Sequence, residues 1–142
     1  MFNYYLPVIL IVGSNVFYHI CAKSIPGEMN PLISLIVTYL TGASIALIIF
    51  FLTDQSKDVI AQIKVMNWAP VALGLAILGL EFGHIILYRA GWNISVGSLV
   101  CNIALAVVLI IIGLLIYKEV VSVYQWIGIA FCIVGLIFIN KK

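Results

Sequence analysis

The stretch from Trp68 to Tyr88 reads WAPVALGLAILGLEFGHIILY, and it decides how the rest of the chain must fold. Its apolar residues run on without a period of two, so it reads as a helix, and about 20 such residues suffice to cross a hydrocarbon core. Near its middle stands Glu81. A carboxylate at bilayer depth costs about 2.5–3.5 kcal/mol on insertion scales, so it persists where it faces a water-filled or protein-lined interior and acts there. Glu81 is therefore the first functional candidate.

The surrounding chain has the same character. Its 142 residues are 65% hydrophobic and 8% charged, with a mean hydropathy of +1.26. That is far more apolar surface than a soluble domain of this length can hide from water. Only helices or a closed barrel satisfy backbone groups in hydrocarbon, and continuous apolar runs indicate helices. The expected fold class is all-α integral membrane, a single domain over residues 1–142 with five transmembrane helices. The spans are Tyr4 to Ala22, Pro31 to Leu52, Trp68 to Tyr88, Val96 to Tyr117 and Val123 to Asn140. Trp68, Trp92 and Trp126 fall at span edges, where an indole sits at headgroup level. No Lys or Arg precedes the first span and no small-x-small site ends it, so it is expected to be retained and not cleaved as a signal. The longest loop, Thr53 to Asn67, spaces Asp54, Lys57, Asp58 and Lys64 for an exposed amphipathic turn or two.

Several function classes drop out. Cys21, Cys101 and Cys132 lie inside spans without metal-ligand spacing and read as packing residues. There is no phosphate-binding loop, metal cluster or nucleophile elbow, so no metal and no cofactor is expected. A net charge of +2 from scattered basic residues does not suggest nucleic acid.

Five spans place Lys57, Lys64 and Lys118 on the side of the N-terminus and Lys23, Arg89, Lys141 and Lys142 on the other. Excess Lys and Arg in cytoplasmic loops normally fixes orientation, and here there is almost no excess. Insertion in both orientations follows as an expectation; the alternative is a fixed orientation set by the two C-terminal lysines. Many transporters consist of two inverted halves with the binding site between them. Two copies of this chain in opposite orientations would rebuild that pair as a closed antiparallel homodimer.

The first span contains Gly13-Ser14-Asn15 and ends towards Ala22-Lys23. The last part contains Gly113, then Tyr117-Lys118-Glu119, Gln125-Trp126-Ile127-Gly128 and Val134-Gly135. In this order and spacing, over essentially the whole chain, the sequence resembles the EamA-type domain of the drug/metabolite transporter superfamily. The resemblance implies a five-helix repeat, usually fused to an inverted second copy, acting as a secondary exporter or exchanger of metabolites or drugs. This chain is one repeat long, so the resemblance implies an unfused form that dimerises. More distantly, the third to fifth spans resemble the small multidrug resistance transporters. Asn15 stands where those proteins carry an acidic residue in the first span, and Glu81 lies in a different helix. Val12 stands where a Trp often precedes the Gly-Ser-Asn element, the second span lacks an Arg, and the fourth lacks a Pro.

Within the third span, Glu81, His84 and Tyr88 share one helix face at spacings of three and four. Gly79 and Gly83, extended by Ala72 and Ala76, form a small-residue register that lets another helix approach. Low dielectric disfavours the charged carboxylate, which would let Glu81 exchange a proton with a cationic substrate. The structural alternative is a hydrogen bond from Glu81 to His84 or a Tyr that only fixes packing. On the first span Ser14 pairs with Tyr18 and Asn15 with His19 at i, i+4, and spacing does not say which pair faces inward. On the fourth, Ser98 and Asn102 repeat that spacing. Gly128 and Gly135 on the last span read as a helix contact. The candidate substrate- and proton-binding residues are thus Glu81, His84, Asn15, Tyr18, Asn102, Tyr88, Ser14 and His19, in a cavity lined by spans one, three and four.

These readings combine into the expectation of a secondary active transporter in the cell membrane, not an enzyme, moving small metabolites or drug-like compounds, cationic ones included, with proton coupling through Glu81. Its expected partners are a second copy of itself, a small-molecule substrate and membrane lipid. One rival is an accessory or heteromeric membrane subunit, for example of a lipid-carrier flippase. An intramembrane enzyme using Glu81 and His84 as acid and base lacks a nucleophile, metal set or cofactor motif.

Overall fold

The computed structural model describes residues 2–53 and 58–140. Asp54, Lys57, Lys141 and Lys142, on which the loop and charge-balance expectations partly rest, lie outside the described residues. The described elements are α1 (Phe2–Ser24), α2 (Pro31–Thr53), α3 (Val59–Lys64), α4 (Ala69–Arg89), α5 (Ile94–Leu115) and α6 (Val123–Asn140).

Local chemistry sets these boundaries. Asn30 ends the α1–α2 loop by accepting the Leu32 amide on its side chain, and Pro31 follows as the first helical residue, where its missing N–H is not needed. Asp58 caps α3 through the Ala61 amide, so the long loop does hold one short helix. Asn67 accepts the Ala69 amide just before Pro70 opens α4. At the end of α4, Gly91 takes φ +91°, a left-handed turn that glycine enters without strain. Ser122 and Gln125 form a reciprocal capping box at the start of α6.

Four helices, α1, α2, α4 and α5, are long and apolar enough to cross a membrane. The fifth expected span, α6, is apolar but shorter, at 18 residues. Within α2 the hydroxyls of Thr38, Thr41 and Ser44 return to carbonyls one turn back, which removes their need for a partner in lipid.

The helices form two units, Met1–Ala90 and Gly91–Lys142. In the first, α4 packs on both α1 and α2. Contacts advance in step along α1 and α4, with Tyr18 against His84 and His19 against Tyr88, so these two helices run parallel. The helix α2 runs back between the two membrane faces from the loop after α1. Ala22, Ser34, Leu35, Ile85 and Tyr88 are buried, and all lie toward the end of the unit that carries the α1–α2 loop. The outward faces are apolar and exposed, as at Leu10, Phe17, Leu40 and Leu75, which suits a hydrocarbon solvent.

In the second unit α5 packs on α6. The α5 end turns through Lys118 at φ 53°, and the Glu119 amide donates back to the Gly113 carbonyl at 3.0 Å. The Glu119 side chain then lies across Gly113, with Oε2 2.7 Å from where a Cβ would stand. A Cβ at 113 would only push aside the end of that flexible side chain. At Gly79, Gly83, Gly128 and Gly135 a Cβ meets no atom within 4 Å, so the helix contacts expected there are not made among the described residues.

Candidate functional site

Glu81 lies half-buried on α4 at the level where α1 and α2 both face it. Tyr18 of α1 and Glu81 together line two cavities of the first unit. One, of about 170 Å³, also takes in Ser34 and Thr38 of α2 and Cys21 of α1. The other, of about 470 Å³, also takes in Ser14 and Asn15 of α1 and Ile77 of α4. The carboxylate therefore stands at the wall between two spaces, reachable from both.

Tyr39 of α2 places its hydroxyl beside the Glu81 carboxyl. The oxygens do not close a hydrogen bond of good geometry: the hydroxyls of Tyr18 and Tyr39 are both buried and without a partner among the described residues. A buried hydroxyl left unsatisfied costs about 1–3 kcal/mol, so a group that entered between these two and the carboxylate would relieve that cost.

Toward the α1–α2 loop the polar surface continues as stacked rings. The His84 ring lies 5.5 Å from Tyr18 and 5.1 Å from His19, centroid to centroid. The His84 Nδ1–H donates to the Leu80 carbonyl at 2.8 Å, so it is Nε2 that remains for other work. Tyr88 and His19 share a hydrogen bond of 2.8 Å between the hydroxyl and Nδ1. Above the Tyr88 ring, 5.7 Å from its centroid, stands the Lys23 ammonium. Arg89, next on α4, donates from one guanidinium nitrogen to the carbonyls of Pro26 and Met29, and so ties the α1–α2 loop to the end of α4.

Seven of the eight sequence-derived candidates fall in this first unit: Glu81, Tyr18, Ser14 and Asn15 by shared cavities, His19, His84 and Tyr88 by ring contacts. The choice between the two α1 pairs does not arise, because members of both reach α4 or the cavity beside it. One cavity at Glu81 takes in α2 beside α1 and α4, and the other is lined by α1 and α4. Tyr39 is the residue missed. Its signal was a large phenol in mid-span, too long to satisfy its hydroxyl on its own helix as Thr38 and Thr41 do. His84 spends its Nδ1–H on the Leu80 carbonyl, and of the two expected packing partners of Glu81, His84 or a Tyr, it is Tyr39 whose hydroxyl lies beside the carboxyl.

Asn102 belongs to the second unit. It lines a cavity of about 480 Å³ there with Ala106, Ile110, Glu119, Gln125 and Gly128. Among the described residues no three His, Cys, Asp or Glu side chains converge as a metal set would.

The profile of the EamA-like transporter family matches residues 4–141, from α1 to the end of α6. The chain belongs to that family. An uncharacterized protein of Methanocaldococcus jannaschii is 30% identical over 113 residues, covering 80% of this chain and 79% of that protein. No solved structure gives a significant match. With its four long apolar helices, this EamA family member is a multi-pass membrane protein, and the family is one of transporters.

Proposed function

We propose that this EamA protein is a secondary active exporter or exchanger of the cell membrane, coupling proton movement through Glu81 to a small, cationic or drug-like molecule. The observation that carries the reading is the setting of Glu81, a half-buried carboxylate on the wall of two cavities with two unpartnered phenol hydroxyls around it. A proton and a cationic group compete for such a carboxylate, and exchange between them is the elementary step of antiport. In this reading α6 is the fifth span, both units act as one domain, and two copies in opposite orientations enclose the pathway. The near-balanced Lys and Arg distribution supports the inverted pair. So does the Gly79–Gly83 face, where an added Cβ meets no atom of the described residues within 4 Å. The relative also covers the match to nearly the same fraction of its length as this chain does.

In proteoliposomes with an imposed pH gradient, the wild-type protein is expected to drive uptake of a fluorescent lipophilic cation, and Glu81→Gln to lower that uptake about 100-fold, the loss of ~2.7 kcal/mol that an essential charged contact represents. Unchanged uptake in the variant would remove Glu81 from the coupling step. Orientation is tested separately: alkaline phosphatase and a cytoplasm-only fluorescent protein, each fused after Lys142, should both be active. Activity of a single reporter would refute the inverted pair and leave the role of Glu81 standing.

A further inference from the structure

The groups around Glu81 are not distributed evenly along the membrane normal. From Glu81 toward the α1–α2 loop, α4 carries His84, Tyr88 and Arg89, α1 carries Tyr18, His19 and Lys23, and α2 carries Tyr39 at the level of Glu81 itself. In the other direction, residues 6–13 of α1, 40–53 of α2 and 69–80 of α4 contain no acidic, basic, His, Cys or Tyr side chain. Both imidazoles, His19 and His84, lie on the loop side of the carboxylate, with the phenols of Tyr18 and Tyr88. Eight residues of α4 from Glu81 to Arg89 rise about 12 Å at 1.5 Å per residue, a large part of a half-bilayer.

We propose that Tyr88, His19 and His84 form a one-sided proton relay between the aqueous face at the α1–α2 loop and Glu81. This deepens the function proposed above and rests on Glu81 being the coupling carboxylate. The bond between the Tyr88 hydroxyl and His19 Nδ1 joins two groups that each donate and accept, so it can reverse. As Tyr88 takes a proton on its oxygen from the loop side, it passes its own to His19 Nδ1. His19 releases the proton on Nε2 to Nε2 of His84, across rings 5.1 Å apart, a gap that a side-chain swing or one water spans. His84, held by its Nδ1–H on Leu80, then delivers the proton to the Glu81 carboxylate on the preceding turn. No group gains or loses a proton over the cycle except Glu81. Lys23 over the Tyr88 ring and Arg89 bound to the loop carbonyls stand at the mouth.

The test uses the full chain in lipid nanodiscs and a rapid pH jump, read by the infrared carbonyl stretch of protonated Glu81, assigned by its disappearance in Glu81→Gln. Tyr88→Phe removes one oxygen from a buried ring and is expected to slow the rise of the band at least tenfold while leaving its final amplitude unchanged. His19→Gln should do the same, and adding imidazole to His19→Ala should restore the wild-type rate. A wild-type rate in Tyr88→Phe and His19→Gln would overturn the relay while leaving the coupling role of Glu81 intact. A slowed rate that imidazole does not restore would overturn it too, by showing the residues to be structural. A carboxyl that never titrates would overturn both the relay and the function it serves.

Discussion

The two units of this chain use polar side chains in opposite ways. In the first, a carboxylate, two imidazoles and three phenols collect along the faces where α1, α2 and α4 meet. In the second, α5 and α6 contain no acidic or basic residue at all. Its cavity of about 480 Å³ is walled by Ile103, Val107, Ile110 and Ile129, with Asn102 midway and Glu119 and Gln125 at the loop end. Charge and hydrogen bonding set the orientation of a ligand, while apolar walls set how much of it fits. Under the proposed function, the contrast would give ion chemistry to the first unit and accommodation of an apolar body to the second.

After Glu81 itself, the largest effect on this contrast is expected at Tyr39. Its hydroxyl lies beside the Glu81 carboxyl and is buried without a hydrogen bond of good geometry among the described residues. Tyr39→Phe should therefore reduce cation uptake in proteoliposomes about tenfold, the ~1.4 kcal/mol of one hydrogen bond to a charged group. The same change removes an unsatisfied buried group, so thermal stability in detergent should hold or rise. A loss of both transport and stability would mean that Tyr39 only supports the fold, and the first unit would lose one of its chemical groups.

The sequence showed the helices and the heart of the site for a simple reason. Apolar run length fixes where a span begins and ends, and a charge in hydrocarbon marks itself, so Glu81 and its face-sharing neighbours His84 and Tyr88 could be read from spacing. The contribution of α2 could not. Helical periodicity does not by itself select one face from a run such as Leu32 to Leu52, where Ser34, Thr38 and Tyr39 turn toward the site while Thr41 and Ser44 are exposed. The glycines mislead for a related reason. Gly79 and Gly83 carry the pattern of a close helix contact but meet no close neighbour among the described residues, whereas Gly113, with no pattern around it, has the Glu119 carboxyl folded back over it. That contact depends on the left-handed turn at Lys118, and a non-glycine residue gives no warning of such a turn.

The smallest expected effect is the one that sharpens the comparison most. Asn102 is the single amide along the described length of α5, and it is exposed to the cavity of its unit. If the second unit contributes space and the first contributes ion chemistry, Asn102→Ala removes one solvent-competed hydrogen bond worth about 0.5–1 kcal/mol. The concentration of cation giving half-maximal uptake should then rise between two- and fivefold, with the number of protons exchanged per cation unchanged. Stoichiometry measured from the reversal potential of transport in proteoliposomes is the deciding readout, because a packing defect alters rate and affinity but not the proton count. A changed count in Asn102→Ala would place proton chemistry in both units, and the division between them would fail.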